Sequence, residues 1–368
     1  MKKRVAILGA TGSIGTTALQ VLRSRSDLHL DIVALSAHTN AKRLSELAAE
    51  FDVPASCLTA QPIDGIYSGY DGLTAMLNEV EADIVLNGIA GFDGLKASVA
   101  ALEAGADLAL ANKESIVCGG NLLFALAKKH NSKIIPVDSE HSAIYELVKM
   151  RKPGELASIV LTASGGPFRS RDLATFDSIT VEDALAHPTW QMGKKISIDS
   201  ATMANKALEV IEASFLFGLD PQQIEVVIHP QSIVHSIIRT RDGALYAQLG
   251  YPTMALPIIN ALTGMSSALV EPLDFTNLSL TFEAVDYKRF PLLQAGYDVL
   301  NKKGGYPLAF NAANEVAVEA FLNKRISYPR LIAIVEETLT HDWTHTPSSI
   351  AEVIALDGVV RSVSRNLV

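Results

Sequence analysis

Seven residues near the start of the chain, Gly9-Ala10-Thr11-Gly12-Ser13-Ile14-Gly15, restrict its possible folds more than any other stretch. They follow an apolar run at residues 5–8 and open a stretch with helical spacing at 18–25. Gly9 permits a tight turn, Gly12 lets backbone approach a pyrophosphate, and Gly15 lets a helix pack closely on a sheet. A helix beginning there offers N–H groups and a positive dipole to phosphates. Strand, glycine turn and helix together predict a dinucleotide-binding unit. The plainer alternative is an ordinary turn in an α/β domain without a cofactor.

Further β-like runs at 30–35, 83–86 and 107–110 alternate with helical stretches at 41–50, 96–104 and 114–130, and a closing strand is expected at 133–137. This alternation predicts a parallel sheet with helices on both faces, a Rossmann-like doubly wound domain over 1–150. The texture then changes. Strands are expected at 157–162, 225–228, 232–240 and 244–249, with Asp242-Gly243 as a hairpin turn. This segment, 151–260, reads as an α+β catalytic domain whose sheet could pair across a dimer. A linker over 261–289 leads to a C-terminal helical bundle over 290–368, where Pro291, Pro307 and Pro329 sit where first helical turns are expected.

The 368 residues suffice for two or three domains, and 48% hydrophobic with 19% charged residues suits a globular protein. With 31 Lys+Arg against 40 Asp+Glu, the formal charge of −9 argues against a general nucleic-acid binder. Two cysteines, Cys57 and Cys118, cannot build a disulfide framework, and a reduced compartment is expected. No run approaches about 20 apolar residues, so no membrane span is predicted. The first residues lead directly into a strand without a secretory pattern, and a cytoplasmic location is the expectation.

Polar residues elsewhere concentrate where apolar ones would make a better core. The second strand ends Ser36-Ala37-His38-Thr39-Asn40 without the carboxylate that holds a ribose 2′-hydroxyl, and Lys42 and Arg43 follow, favouring NADP(H). Asp138 and Glu140 leave the carboxyl end of a strand at i and i+2. If extended backbone persists, both point to one side and suit Mg²⁺ or Mn²⁺. Asp138 could instead cap the next helix, with Ser139 and Glu140 in its first turn. A helix expected from Thr202 aligns Asn205 and Lys206 with Glu209, and Ser200 precedes it. That is the chemistry of a phosphate pocket, with Glu209 as a third oxygen ligand. Ser164-Gly165-Gly166 offers further N–H groups to an anion, and Lys113 places an ammonium at the sheet edge. In the stretch from His187 to Gly193, Trp190 and Met192 offer apolar cover and Gly193 a hinge.

These strings together resemble the 1-deoxy-D-xylulose 5-phosphate reductoisomerase family, in the family's order: GATGSIG at 9–15, ANKES at 111–115, PVDSEHS at 136–142, SGGPF at 164–168, ISIDSATMANKALE at 196–209 and VIHPQS at 227–232. The resemblance implies a skeletal rearrangement of the ketose phosphate, by retro-aldol cleavage and recombination, followed by NADPH reduction to 2-C-methyl-D-erythritol 4-phosphate, a step toward isoprenoids. It also implies one divalent ion, Mg²⁺ or Mn²⁺, held by Asp138, Glu140 and Glu209. Lys113, Ser139 and Glu140 would meet the carbonyl end of the substrate. Ser164, Ser200, Asn205 and Lys206 would bind its phosphate, with His187 at the rim and Trp190 in a mobile lid. Thr11, Gly12, Ser13, Ile14, Asn40, Asn112, Glu114 and Gly193 match cofactor contacts, and His229 reads as structural. A homodimer is expected. His38 and Thr39, and the run Gly88–Gly94, depart from the family pattern beside the cofactor. Two other readings remain: an aldehyde reductase or acylating dehydrogenase, which needs no metal and, if acylating, needs a reactive cysteine; and a cofactor-sensing regulator, expected to lack Lys113 or the acids.

Overall fold

The computed structural model describes residues 2–60, 62–63, 65–190, 192–264 and 271–368. Part of the expected linker, 265–270, and Gln191 of the expected lid lie outside the described residues. The chain forms two compact units. Met1–Ile116, Gly120–Tyr145 and Thr253–Glu271 make the first, and Val117–Gly119, Glu146–Pro252 and Pro272–Val368 the second.

The first unit runs β1 (Lys3–Leu8), α1 (Ser13–Ser24), β2 (Leu30–Ala37), α2 (Ala41–Glu50), β3 (Ala55–Leu58), β4 (Tyr67–Ser68), α3 (Gly69–Val80), β5 (Ile84–Asn87), α4 (Asp93–Glu103), β6 (Asp107–Leu110), α5 (Lys113–Lys129), β7 (Ile134–Pro136) and the start of α6 (Ser139–Lys149). Its seven strands lie in the order β4-β3-β2-β1-β5-β6-β7, every pair parallel. The strand order reverses between β1 and β5, and the crevice beyond their carboxyl ends is where such sheets bind ligands. Val5, Ile7, Leu35, Ile84 and Leu86 fill the interior. Residues 253–260, expected with the catalytic part, fold here instead. Ile258, Ala261 and Leu262 of α10 (Ala255–Thr263) join this core, and Lys3 Nζ donates to Leu262 O at 2.9 Å. Burying each of the two larger side chains contributes about 1.5–3 kcal/mol. That gain comes from a distant sheet, so local sequence does not announce it.

The second unit contains β8 (Leu156–Ala163), α7 (Val181–Leu185), α8 (Lys194–Thr202), α9 (Ala204–Phe217), β9 (Ile224–Ile228), β10 (Val234–Thr240) and β11 (Leu245–Leu249). Its sheet has the order β11-β10-β8-β9, with β8 and β9 parallel and the other pairs antiparallel. Gly243 at φ +87° closes the predicted hairpin. Helices α11 (Pro291–Lys302), α12 (Tyr306–Leu322), α13 (Tyr328–Thr338) and α14 (Ile350–Arg365) follow, the first three beginning with a proline turn as expected. Helix α11 packs on α9, and α12 touches both α8 and α9.

Candidate active site

Gly9 sits at φ +76°, and a Cβ there would lie 2.9 Å from the carbonyl oxygen of Gly88, so β1 and β5 meet too closely for any side chain. At Gly15 an added Cβ would fall 2.5 Å from Ala10 Cα and Gly9 O, because α1 folds back onto its own turn. Gly12 is the N-cap of α1 and provides no side-chain cap. The turn including Thr11, Ser13 and Ile14 therefore presents helix N–H groups at the switch point of the sheet, as an anion requires. Ser36 holds it from behind: its Oγ accepts from Gly9 N at 3.2 Å, and its carbonyl accepts from Ala10 N at 2.8 Å. The sequence reading gave Ser36 no role. A fully buried polar residue in an apolar strand end was the available signal.

Asn40 caps α2, its Oδ1 accepting from Arg43 N at 3.2 Å, and His38 Nδ1 lies 3.0 Å from Thr59 Oγ1. Asn112 caps α5: Oδ1 accepts from Ser115 N at 2.8 Å, while Nδ2 donates to Gly91 O at 2.9 Å and Glu114 Oε2 at 2.7 Å. Asn87, also unanticipated, donates to Gly94 O and Ser98 Oγ, both at 2.8 Å. The glycine-rich loop after β5 is thus pinned by two buried amides.

At the carboxyl edge of β6 and β7, Lys113 and Asp138 form an ion pair at 2.9 Å with both side chains largely buried. Asp138 caps α6: its Oδ1 accepts from Glu140 N at 3.2 Å and its carbonyl from Ser142 N at 2.8 Å. The backbone thus takes the helical alternative, with Ser139 and Glu140 in the first turn. The Ser139 hydroxyl donates to the Glu140 carboxylate.

The second unit gathers the expected phosphate residues. Gly165 and Gly166 have φ +83° and +63°, and Gly166 N donates to Ser164 Oγ at 3.3 Å. A Cβ at Gly166 would approach Ser200 O to 2.6 Å, so this turn lies directly on α8. Ser200 does not precede a helix, as expected, but occupies the last turn of α8. With no glycine or proline to stop it, α8 continues to Thr202, and the break to α9 comes at Met203, φ +60°. Asn205, Lys206 and Glu209 lie on α9, where the buried Lys206 ammonium and Asn205 amide both bond the Glu209 carboxylate.

His187 Nε2 lies 3.1 Å from Ser164 Oγ, and His187 Nδ1 accepts from Thr189 N (3.1 Å) and Trp190 N (2.9 Å). Two amides donating to Nδ1 place the proton on Nε2, making the ring a donor toward Ser164. Burial lowers the His187 pKa, in keeping with that neutral form. Trp190 and Met192 are half-buried, and Gly193 is the N-cap of α8. His229 is fully buried with its ring committed to backbone: Nδ1 lies 2.8 Å from Thr281 O, and Nε2 accepts from Ile233 N and Val234 N. Both cysteines are buried and stand outside any disulfide, and burial pushes Cys57 up to about 11, opposite to a nucleophilic thiol.

A glycine turn at the switch point of a parallel sheet, with a lysine and acids at the same edge, defines a dinucleotide-dependent oxidoreductase. Family models described as 1-deoxy-D-xylulose 5-phosphate reductoisomerase match residues 5–120 and, for its C-terminal domain, 134–217; a model of the DXP reductoisomerase C-terminal domain matches 249–363. The chain belongs to the 1-deoxy-D-xylulose 5-phosphate reductoisomerase family. Proteins of that name from Treponema denticola and Treponema pallidum are both 45% identical, over 99% and 100% of this chain and 96% and 97% of theirs. The Zymomonas mobilis reductoisomerase solved with NADPH matches at TM-score 0.90 and 38% identity, covering 100% of this chain and 99% of that one. A reductoisomerase solved with NADPH, fosmidomycin and magnesium matches at 0.91 and 37%, covering 99% and 98%.

Proposed function

We propose that this chain rearranges 1-deoxy-D-xylulose 5-phosphate and reduces the product to 2-C-methyl-D-erythritol 4-phosphate, using NADPH and one divalent ion. The observation that carries this reading is the buried Lys113–Asp138 pair at the edge of the sheet that also bears the glycine turn. Asp138, Glu140 and Glu209 are the ligand set. Three carboxylates are hard oxygen donors fitted to Mg²⁺ or Mn²⁺, and Lys113 and Lys206 already balance two of them. When bound, the ion supplies a Lewis acid toward the substrate oxygens and NADPH supplies the hydride.

The chain's own residues bind, orient and enclose. Lys113, Ser139 and Glu140 hold the carbonyl end. Ser164, Ser200, Asn205 and Lys206 hold the phosphate, with His187 at the rim, its Nε2 proton toward Ser164 Oγ. Trp190 covers the sugar and excludes water, which strengthens charge interactions inside. Gly9, Thr11, Gly12, Ser13, Ile14 and Gly15 seat the pyrophosphate. Asn40 stands with Lys42 and Arg43 for the 2′-phosphate, and Asn112, Glu114 and Gly193 for the remaining cofactor contacts. The enzyme works as a cytoplasmic homodimer, supported by the edge position of β11, where Leu245 is 60% exposed. None of the described helices is long and apolar enough to cross a membrane.

The test is NADPH oxidation on adding 1-deoxy-D-xylulose 5-phosphate. Absorbance at the NADPH band should fall, stop with EDTA and resume with Mg²⁺ or Mn²⁺. Turnover indifferent to EDTA refutes the metal assignment, and no oxidation refutes the reaction.

A further inference from the structure

The two arms of the proposed phosphate pocket come from separate stretches, the turn after β8 and the α8–α9 junction, and one side chain touches both. Tyr328, fully buried at the start of α13, donates its hydroxyl to Ala201 O at 2.8 Å. Its ring meets Phe168 edge-on, with centroids 5.2 Å apart. Ala201 follows Ser200, and Phe168 lies two residues beyond Gly166. On the other side of Ser200, Asp199 Oδ1 accepts from Asn314 Nδ2 of α12 at 2.8 Å, and its second oxygen pairs with Lys195 at 2.8 Å. Ser200 is therefore fixed through both chain neighbours by helices more than a hundred residues further along.

The chemistry of each contact marks it as more than packing. Ala201 O belongs to the last turn of α8, where carbonyls lack intrahelical donors, and the tyrosine supplies one. Asn314 is fully buried with Oδ1 unpartnered, a half-satisfied amide that weakens the fold where a leucine would not. Its orientation is set by Asp199, since turning it over would bring oxygen against a carboxylate. Met203, a non-glycine residue at φ +60°, persists only where its surroundings over-determine it. The Tyr328 bond lies two residues before it.

We propose that Tyr328 and Asn314 are positioning residues that lock the two arms of the phosphate pocket together before substrate arrives. The proposal rests on the phosphate reading of Ser164, Ser200, Asn205 and Lys206. Pre-organisation of this kind acts on affinity for the phosphate and leaves the cofactor untouched.

The experiment compares Tyr328→Phe, Asn314→Leu, Ser164→Ala and a control, Thr338→Val. Thr338 is another buried hydroxyl of these helices, bonded to Ile334 O at 2.8 Å and lying 3.1 Å from Ser364 Oγ. Measured quantities are KM for the sugar phosphate, Ki for inorganic phosphate, Kd for NADPH, and Tm. Tyr328→Phe, which keeps the ring, should raise KM and Ki by about fivefold to tenfold without changing the NADPH Kd. Asn314→Leu should do the same, while Thr338→Val lowers Tm alone. If Tyr328→Phe lowers Tm with KM and Ki unchanged, while Ser164→Ala does weaken phosphate binding, the tyrosine is merely structural and the proposal is overturned. If Ser164→Ala changes neither constant, the phosphate reading fails, and the lock fails with it.

Discussion

Replacing Gly15 with alanine separates two demands that the glycine turn meets. A Cβ at Gly15 would sit 2.5 Å from Ala10 Cα and 2.5 Å from Gly9 O, about 1 Å inside ordinary carbon contact. Both obstacles are backbone, so no side chain can swing away and the helix itself must move. Overpacking of this severity costs about 3 kcal/mol, from which the better helix propensity of alanine recovers about 1 kcal/mol. The net loss is about 2 kcal/mol. At Gly12 the added Cβ would meet only Gly9 O, at 3.3 Å, and the fold should tolerate it. That Cβ would instead stand where a pyrophosphate approaches. Thermal unfolding and NADPH titration by fluorescence check the pair: Gly15→Ala should lower both Tm and cofactor affinity, and Gly12→Ala chiefly affinity. A Gly15→Ala protein as stable as the parent would refute the close-packing argument.

The turn from His187 to Trp190 should respond to acid through His187. Its pKa is lowered by burial from the ordinary 6.5, so above that value both folded and unfolded states carry a neutral ring. As pH falls below it, the unfolded state takes up the proton first, and stability drops toward the lowered folded value. Protonating Nδ1 in the folded protein also ends its acceptance from Thr189 and Trp190, so KM for the sugar phosphate should rise once pH falls through the lowered folded value. Trp190 emission should shift with it, and His187→Asn should abolish that shift. Trp343, buried and donating to Thr338 O at 2.8 Å, supplies a steady background, and a pH response surviving in Trp190→Phe would contradict the assignment.

The parts of this molecule governed by neighbouring residues were legible in the sequence. The glycine turn, the Asp242-Gly243 hairpin and the proline-started helices each follow from local backbone preference, and residues 41–50 form a helix with the predicted bounds. Strands β3 and β4 were not foreseen. Ala55-Ser56-Cys57-Leu58 has little β-propensity and Tyr67–Ser68 is two residues long, so β3 depends on β2 for its register and β4 on β3. Helix α3 hid behind Gly69 and Gly72, which depress helical propensity. In the candidate site, the residue types and their order could be read, but the local backbone could not always be. Asp138 could be read as either strand or cap, and the break at Met203 carries no glycine or proline. Nothing in the sequence around Tyr328 sets it apart from other aromatic residues. Only the folded chain shows where its hydroxyl goes.

The central claim is that Asp138, Glu140 and Glu209 hold one divalent ion. Electron paramagnetic resonance titration of Mn²⁺ into the protein tests it most directly, with Glu140→Gln and Asp138→Asn alongside the parent. The account predicts one tight site in the parent, weakened at least about tenfold in each variant as a ligating charge is lost. Equal Mn²⁺ affinity in all three proteins would contradict it.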